Sequence, residues 1–118
     1  MPVGDATERR LVIVWTSADR EVALNMVFMY ARNCLLKDWW DRVVLMVWGP
    51  AARLILEDAE VRAALDEARA AGVMVWACRA CAERYGIVNR LQDLGLDVLY
   101  VGQPLTRMLQ TDWKTLSF

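Results

Sequence analysis

Short, continuous apolar runs recur along this chain and are separated by segments of helical pattern. Arg10–Trp15, Val43–Trp48 and Val73–Ala77 have the length of strands and are apolar at nearly every position. Strands that are apolar on both faces are typical of a parallel sheet covered by helices on its two sides. The alternation therefore predicts an α/β fold, a three-layer α/β/α architecture whose crossovers are right-handed.

The segments between these runs carry helical signals. Apolar residues recur every three or four positions from about Asp19 to Lys37, which predicts a long amphipathic helix. One or two helices are predicted between Pro50 and Ala71, and a short helix is predicted to reach Tyr85. The last predicted elements are a helix from about Val88 to Leu94, a strand over Asp97–Val101, a helix over Pro104–Gln110 and a strand over Trp113–Phe118.

Length and composition limit the organisation of the protein. At 118 residues we expect a flexible N-terminal tail over residues 1–8 and a single domain over residues 9–118. The N-terminus is polar and acidic where a signal peptide would be basic and then apolar, and no apolar run approaches the roughly 18 residues of a membrane span. We therefore expect a cytoplasmic protein with no membrane partner.

Charge and apolar content indicate which partners to expect. The net charge is −1 and the basic residues are scattered among acidic ones, which argues against a nucleic-acid partner. Hydrophobic residues make up 57% of the chain and six of them are tryptophan, so apolar surface is expected to remain after folding. We therefore expect a homo-oligomer.

The pair Cys78 and Cys81 is the main candidate for chemistry. Both follow the third apolar run, where a helix is predicted to begin, and the amides and positive dipole of a helix start stabilise a thiolate. We therefore expect the sulfur of Cys78 to be exposed and ionised at the rim of the domain. The sequence has no histidine, so a Cys-His or Ser-His-Asp arrangement is excluded. Thiol–disulfide exchange and persulfide transfer need only a thiolate, which favours sulfur chemistry over hydrolysis.

Each cysteine also has an alternative interpretation. Cys78 could be a small core residue, and Cys81 could either form a disulfide with Cys78 or face the core. Cys34 lies on the apolar stripe of the first helix and is predicted to be inert. A Cys-x-x-Cys pair is also found in thioredoxin, but here it follows two complete strand–helix units, and a zinc site would need more ligands than one pair. We expect no metal and no cofactor.

Several residues are candidates for binding a substrate beside Cys78. Tryptophans end three predicted strands, at Trp15, Trp48 and Trp76, which in a parallel sheet places them near its carboxyl edge. They could exclude water from the thiol or simply pack the core or a subunit interface. Gly49 follows a strand and serves either a ligand or the backbone turn. The remaining candidates are Arg79 and Arg84, which could hold an anion or face solvent.

Three stretches resemble the DsrE/DsrF-like family of small α/β proteins. They are the turn Trp48–Leu54 into the second helix, the Cys-x-x-Cys pair after strand three, and the ending formed by Gly102–Leu105 and Trp113–Phe118. The resemblance covers nearly the whole chain from about Arg9. It implies a five-stranded parallel sheet, a cytoplasmic homo- or hetero-oligomer (dimer, trimer or hexamer) and, in sulfur-relay members, a cysteine that carries persulfide sulfur. The matching position here is Cys78.

These observations together predict a sulfur-relay or persulfide-carrier protein, with possible sulfurtransferase activity. Cys78 would accept sulfane sulfur from a donor protein and pass it to an acceptor protein, and Cys81 could release it through an internal disulfide. Two alternatives stay open at this point. The pair could be a dithiol redox centre, or the domain could be a non-catalytic oligomeric binding module.

Overall fold

A parallel sheet forms the centre of the protein, as the apolar runs predict. The computed structural model describes residues 8–118, so the predicted tail lies outside the described residues except for Glu8. Within that range five strands pair in the order β4-β3-β2-β1-β5, and every pairing is parallel. The strands are Arg10–Trp15 (β1), Arg42–Val47 (β2), Met74–Cys78 (β3), Asp97–Leu99 (β4) and Lys114–Ser117 (β5).

Helices connect the strands in the predicted order, with one irregularity. The predicted first helix contains a π-helical turn, Ala23–Val27, which the periodicity does not indicate. No helix of the described residues is both long and apolar enough to cross a membrane. The helices are Arg20–Val22 (α1), Phe28–Leu36 (α2), Ala51–Glu57 (α3), Ala59–Ala70 (α4), Arg79–Tyr85 (α5), Val88–Asp93 (α6) and Gly102–Leu109 (α7).

Asp58 ends α3 and begins α4. Its carboxylate accepts hydrogen bonds from the backbone N–H groups of Glu60 at 2.9 Å and Val61 at 3.1 Å, which caps the N-terminus of α4. Arg62 donates to the carbonyl oxygens of Ile55 at 3.1 Å and Leu56 at 2.8 Å, at the end of α3. The unpaired backbone groups at both helix ends thus find partners, which explains why two helices form between Pro50 and Ala71 rather than one.

The two faces of the sheet are covered unequally. Side chains alternate along each strand, so neighbouring residues point to opposite faces. One face, here called the helix-covered face, packs against α2, α3, α4 and α6. The opposite face, here called the cysteine face, is covered by α7 through Met108 and Leu105. The buried residues of the cysteine face are Val12, Val44, Met46, Cys78, Val101 and Met108.

Candidate functional site

Cys78 lies at the carboxyl end of the central part of the sheet. It is the last residue of β3, one residue beyond the predicted end of that strand, and it pairs with Leu99 of β4. Its backbone remains extended, with φ −66° and ψ 116°, and it occupies the N-cap position of α5. The strand register directs its side chain to the cysteine face, and the next residue begins the helix. Carboxyl edges of open parallel sheets are the usual place for ligand sites.

A small pocket opens at this edge, beside both cysteines. Its volume is about 290 Å³. The Cys78 side chain is 4% exposed, whereas Cys81, one helical turn later, is half-buried. The pocket is lined by Trp48, Cys78, Ala80, Cys81, Arg84, Tyr100, Val101 and Gly102.

The environment of Cys78 differs from the expected exposed thiolate. Burial is the largest influence and raises the pKa of the Cys78 thiol. The backbone amides of Cys81 and Ala80 act in the predicted direction and lower this pKa, although neither completes a capping hydrogen bond to the side chain. The adjacent Cys81 thiol raises it. The expectation that Cys78 is exposed and ionised at the rim was therefore wrong, because desolvation outweighs the amides. The thiol is buried but lines a pocket.

Two of the predicted substrate-binding residues lie away from this pocket. Trp15 is 0% exposed on the helix-covered face and packs edge-on against Phe28, with 5.1 Å between ring centroids. Arg79 donates from Nε to Oε2 of Glu83 at 3.4 Å, which directs it along the surface of α5. Of the predicted tryptophans, the structure thus brings Trp48 to the pocket and places Trp15 on the other side of the sheet.

Gly49 and Trp76 stand near the pocket without lining it. Gly49 has φ +70°, a conformation in which glycine is free of the steric cost of a side chain, so it serves the turn between β2 and α3. Trp76 packs on the cysteine face beside Met46, its partner in β2. Both residues therefore support the local backbone and sheet packing beside the pocket.

Tyr100 is a polar residue of the pocket that the sequence did not indicate. It follows β4 directly, and its side chain is 59% exposed. Its hydroxyl donates to the carboxylate of Glu83, at 3.0 Å from each oxygen, and so links the β4–α7 connection to α5. Its position just after a strand that ends at the same edge of the sheet as Cys78 could have marked Tyr100 as a site candidate. The sequence did not show this clearly, because β4 is short and has only a weak apolar pattern.

A larger cavity lies at the amino edge of the sheet, far from the two thiols in the fold. Its volume is about 570 Å³, and it includes the first residues of β1 and β5. Within residues 8–118, it contains none of the predicted site residues. Its lining is Glu8, Arg9, Arg10, Trp39, Trp40, Thr111, Asp112, Trp113 and Lys114.

Comparison with known proteins places the chain in a family. The family model described as "DsrE/DsrF-like family" matches residues 10–118. The chain belongs to the DsrE/DsrF-like family. No curated protein sequence matches it significantly.

Solved structures share this DsrE/DsrF-like fold. Protein BT1422 from Bacteroides thetaiotaomicron, a conserved protein of unknown function, is 33% identical, with a TM-score of 0.88 over 92% of this chain and 94% of that one. MTH1491 from Methanobacterium thermoautotrophicum, also of unknown function, is 20% identical, with a TM-score of 0.76 over 94% and 100% of the two chains. The ychN protein from E. coli is 20% identical, with a TM-score of 0.69 over 93% and 99%.

The burial of the thiols predicts an order of alkylation at neutral pH. Iodoacetamide should modify half-buried Cys81 first, Cys78 more slowly through the pocket, and Cys34, which lies on the fully buried side of α2, last. Peptide mass spectrometry over time measures the order, and the denatured protein, in which the three sites should react alike, is the control. Fastest reaction at Cys34 would contradict the described burial.

The raised pKa of Cys78 also predicts a pH dependence. The folded protein retains the thiol proton to higher pH than the unfolded chain, whose cysteine pKa is about 8.5. The stabilisation is complete below that value and is lost as the pH rises from it toward the pKa of the folded state. Cys78→Ser should therefore flatten the decline of unfolding free energy above about pH 8.5, measured by urea denaturation. Part of the decline in unfolding free energy should remain in Cys78→Ser, because burial also raises the pKa of the Cys34 thiol.

Proposed function

We propose that this protein is a sulfur carrier in which Cys78 accepts sulfane sulfur as a persulfide and passes it to an acceptor thiol. The observation that carries the proposal is the placement of Cys78 at a strand end, inside a pocket that it shares with a second thiol. Membership of the DsrE/DsrF-like family, which includes sulfur-relay proteins, supports the same chemistry. The proposal includes donor and acceptor proteins as partners, a cytoplasmic setting and a homo-oligomeric state.

The loading step needs no base other than solvent. The Cys78 thiol loses its proton, and its sulfur attacks the outer sulfur of a donor persulfide; the donor S–S bond breaks and its electron pair leaves on the donor thiolate. The acceptor then attacks the outer sulfur of Cys78 and takes it in the same way. Oxidation states balance within each exchange, so no external oxidant is required.

The burial of Cys78 favours a protein that holds a persulfide over one whose thiol reacts quickly. A Cys78 persulfide would sit beside Trp48 and Val101, where water has limited access and the sulfur is shielded from chance exchange. The raised pKa of the resting thiol lowers its reactivity toward unrelated electrophiles at neutral pH. Because Cys78 is buried, we expect sulfur loading to be slow unless the donor enters the pocket.

Mass mapping after exposure to a low-molecular-weight persulfide tests the proposal. The protein is incubated with cysteine persulfide, its free thiols are blocked, and its peptides are analysed. We expect an addition of about 32 Da, one sulfur atom, on Cys78. Addition at Cys34 or Cys81 with none at Cys78 would count against the carrier role.

A dithiol redox centre is the second candidate, favoured by the contact between the two thiols. The Cys81 thiol lies close enough to Cys78 to raise the pKa of the Cys78 thiol. This function predicts a reversible Cys78–Cys81 disulfide with a defined potential in glutathione buffers. The two candidates differ in one readout: a redox centre cycles between dithiol and disulfide without ever gaining a sulfur atom.

A further inference from the structure

Arg84 gives the pocket an unbalanced positive charge. Eight residues line the pocket, and among them Arg84 carries the charge. Its side chain forms no ion pair within residues 8–118. Glu83, its neighbour in the chain, is directed elsewhere, toward Arg79 and the Tyr100 hydroxyl. The wall of the pocket beside the two thiols is therefore cationic and free to hold an anion.

The dimensions of the site favour a small ligand. A cavity of about 290 Å³ lies at the lower end of the range typical of small-molecule sites. Cys78 is 4% exposed, so a reactant must enter the pocket to reach its sulfur. Apolar surface from Trp48 and Val101 covers another part of the lining, and this leaves Arg84 as the polar anchor.

We propose that the pocket accepts a small sulfane-sulfur donor with a sulfonate end, thiosulfate being the simplest, whose sulfonate binds Arg84 while its terminal sulfur meets Cys78. The inference rests on the proposed sulfur-carrier function and specifies its donor class. A guanidinium suits this anion because it offers several N–H groups in one plane to the sulfonate oxygens.

The reaction balances without any further reagent. Cys78 releases its proton to solvent, and the thiolate attacks the terminal sulfur of thiosulfate. The S–S bond of thiosulfate breaks, and its electron pair leaves with the sulfonate group as sulfite. Cys78 then holds the transferred sulfur as a persulfide, and one sulfite is released for each sulfur gained. Arg84 faces the same sulfonate oxygens before and after the step, so it acts in binding.

Single-turnover loading with thiosulfate tests the inference. Over the first turnover, before Cys81 can release the sulfur through an internal disulfide, we expect sulfite release and a gain of about 32 Da on Cys78 in equal amounts. In Arg84→Ala the thiosulfate concentration that gives half-maximal loading rate should rise about tenfold, because a charge-assisted contact is lost. Arg84→Lys should recover part of this affinity. Arg90→Ala removes an exposed arginine on α6 and is the matched control, with half-saturation unchanged.

Three results would overturn parts of the account, and they are distinguishable. Loading by cysteine persulfide but not by thiosulfate overturns the donor class and leaves the carrier function. Thiosulfate loading that is equal in wild type and Arg84→Ala, with circular dichroism showing both folded, overturns the role of Arg84. Loading by neither donor overturns the proposed function itself.

Discussion

Replacing Trp15 with alanine is expected to destabilise the protein by about 3–5 kcal/mol, because it leaves a large cavity in the core. Trp15 is fully buried on the helix-covered face and contacts Phe28 edge to face. For a domain of this size the loss corresponds to a fall of roughly 10–25 °C in the thermal midpoint. Thermal unfolding followed by circular dichroism, at one protein concentration, measures it.

Trp48→Ala is the matched comparison for Trp15→Ala. Trp48 also ends an apolar run, but it is half-buried at the pocket, so its removal should cost only about 1–2 kcal/mol. Trp15→Phe should also be milder than alanine, since it keeps an aromatic ring and removes an indole N–H that has no hydrogen-bond partner among the described residues. Equal losses for Trp15→Ala and Trp48→Ala would contradict the difference in burial between the two indoles.

Cys78→Ser is expected to reduce sulfur loading by about a hundredfold or more, since the serine hydroxyl is not ionised at neutral pH and forms no persulfide. Cys81→Ser should retain loading at Cys78. The two substitutions exchange one atom each at neighbouring positions of one pocket, so each serves as the structural control for the other. Loading is measured by intact mass after exposure to cysteine persulfide.

Cys78 and Cys81 are also expected to have different roles after the sulfur has been loaded. In the wild type, Cys81 can attack the inner sulfur of the Cys78 persulfide; the S–S bond breaks, hydrosulfide leaves, and a Cys78–Cys81 disulfide forms. Cys81→Ser should therefore lengthen the lifetime of the persulfide and abolish this hydrosulfide release, which a sulfide electrode detects. Unchanged release in Cys81→Ser would exclude Cys81 from the step.

The first three strands and the helices between them could be predicted from the sequence, because each of these strands is a short apolar run followed by turn residues. Arg10–Trp15 matches β1 residue for residue, and the second and third predicted strands shift by one residue. The π-helical turn Ala23–Val27 was not predicted, because one extra residue per turn hardly disturbs an apolar stripe. Helix α7 begins at Gly102, two residues before the proline chosen as its start.

The location of Cys78 could be predicted from the sequence, but its burial could not. The end of a strand followed by the start of a helix places the backbone of Cys78 at the carboxyl edge of the sheet. The exposure of Cys78 depends on Trp48, just after β2, and on Val101, just before α7, both of which pack on the same face of the sheet. The three tryptophans show the same limit: in runs that are apolar at every position, alternation leaves open which face each indole occupies until strand register is known.

Loading of sulfur onto Cys78, followed by its release to an acceptor, tests the carrier role directly. Cys81→Ser protein, in which no neighbouring thiol can discharge the persulfide, is loaded with cysteine persulfide, freed of excess donor, mixed with an acceptor thiol and followed by peptide mass spectrometry. A carrier role predicts that Cys78 gains and then loses about 32 Da while the acceptor gains the same mass, with Cys34 unchanged throughout. A Cys78 that never gains sulfur, or that keeps it in the presence of excess acceptor, would contradict a carrier role.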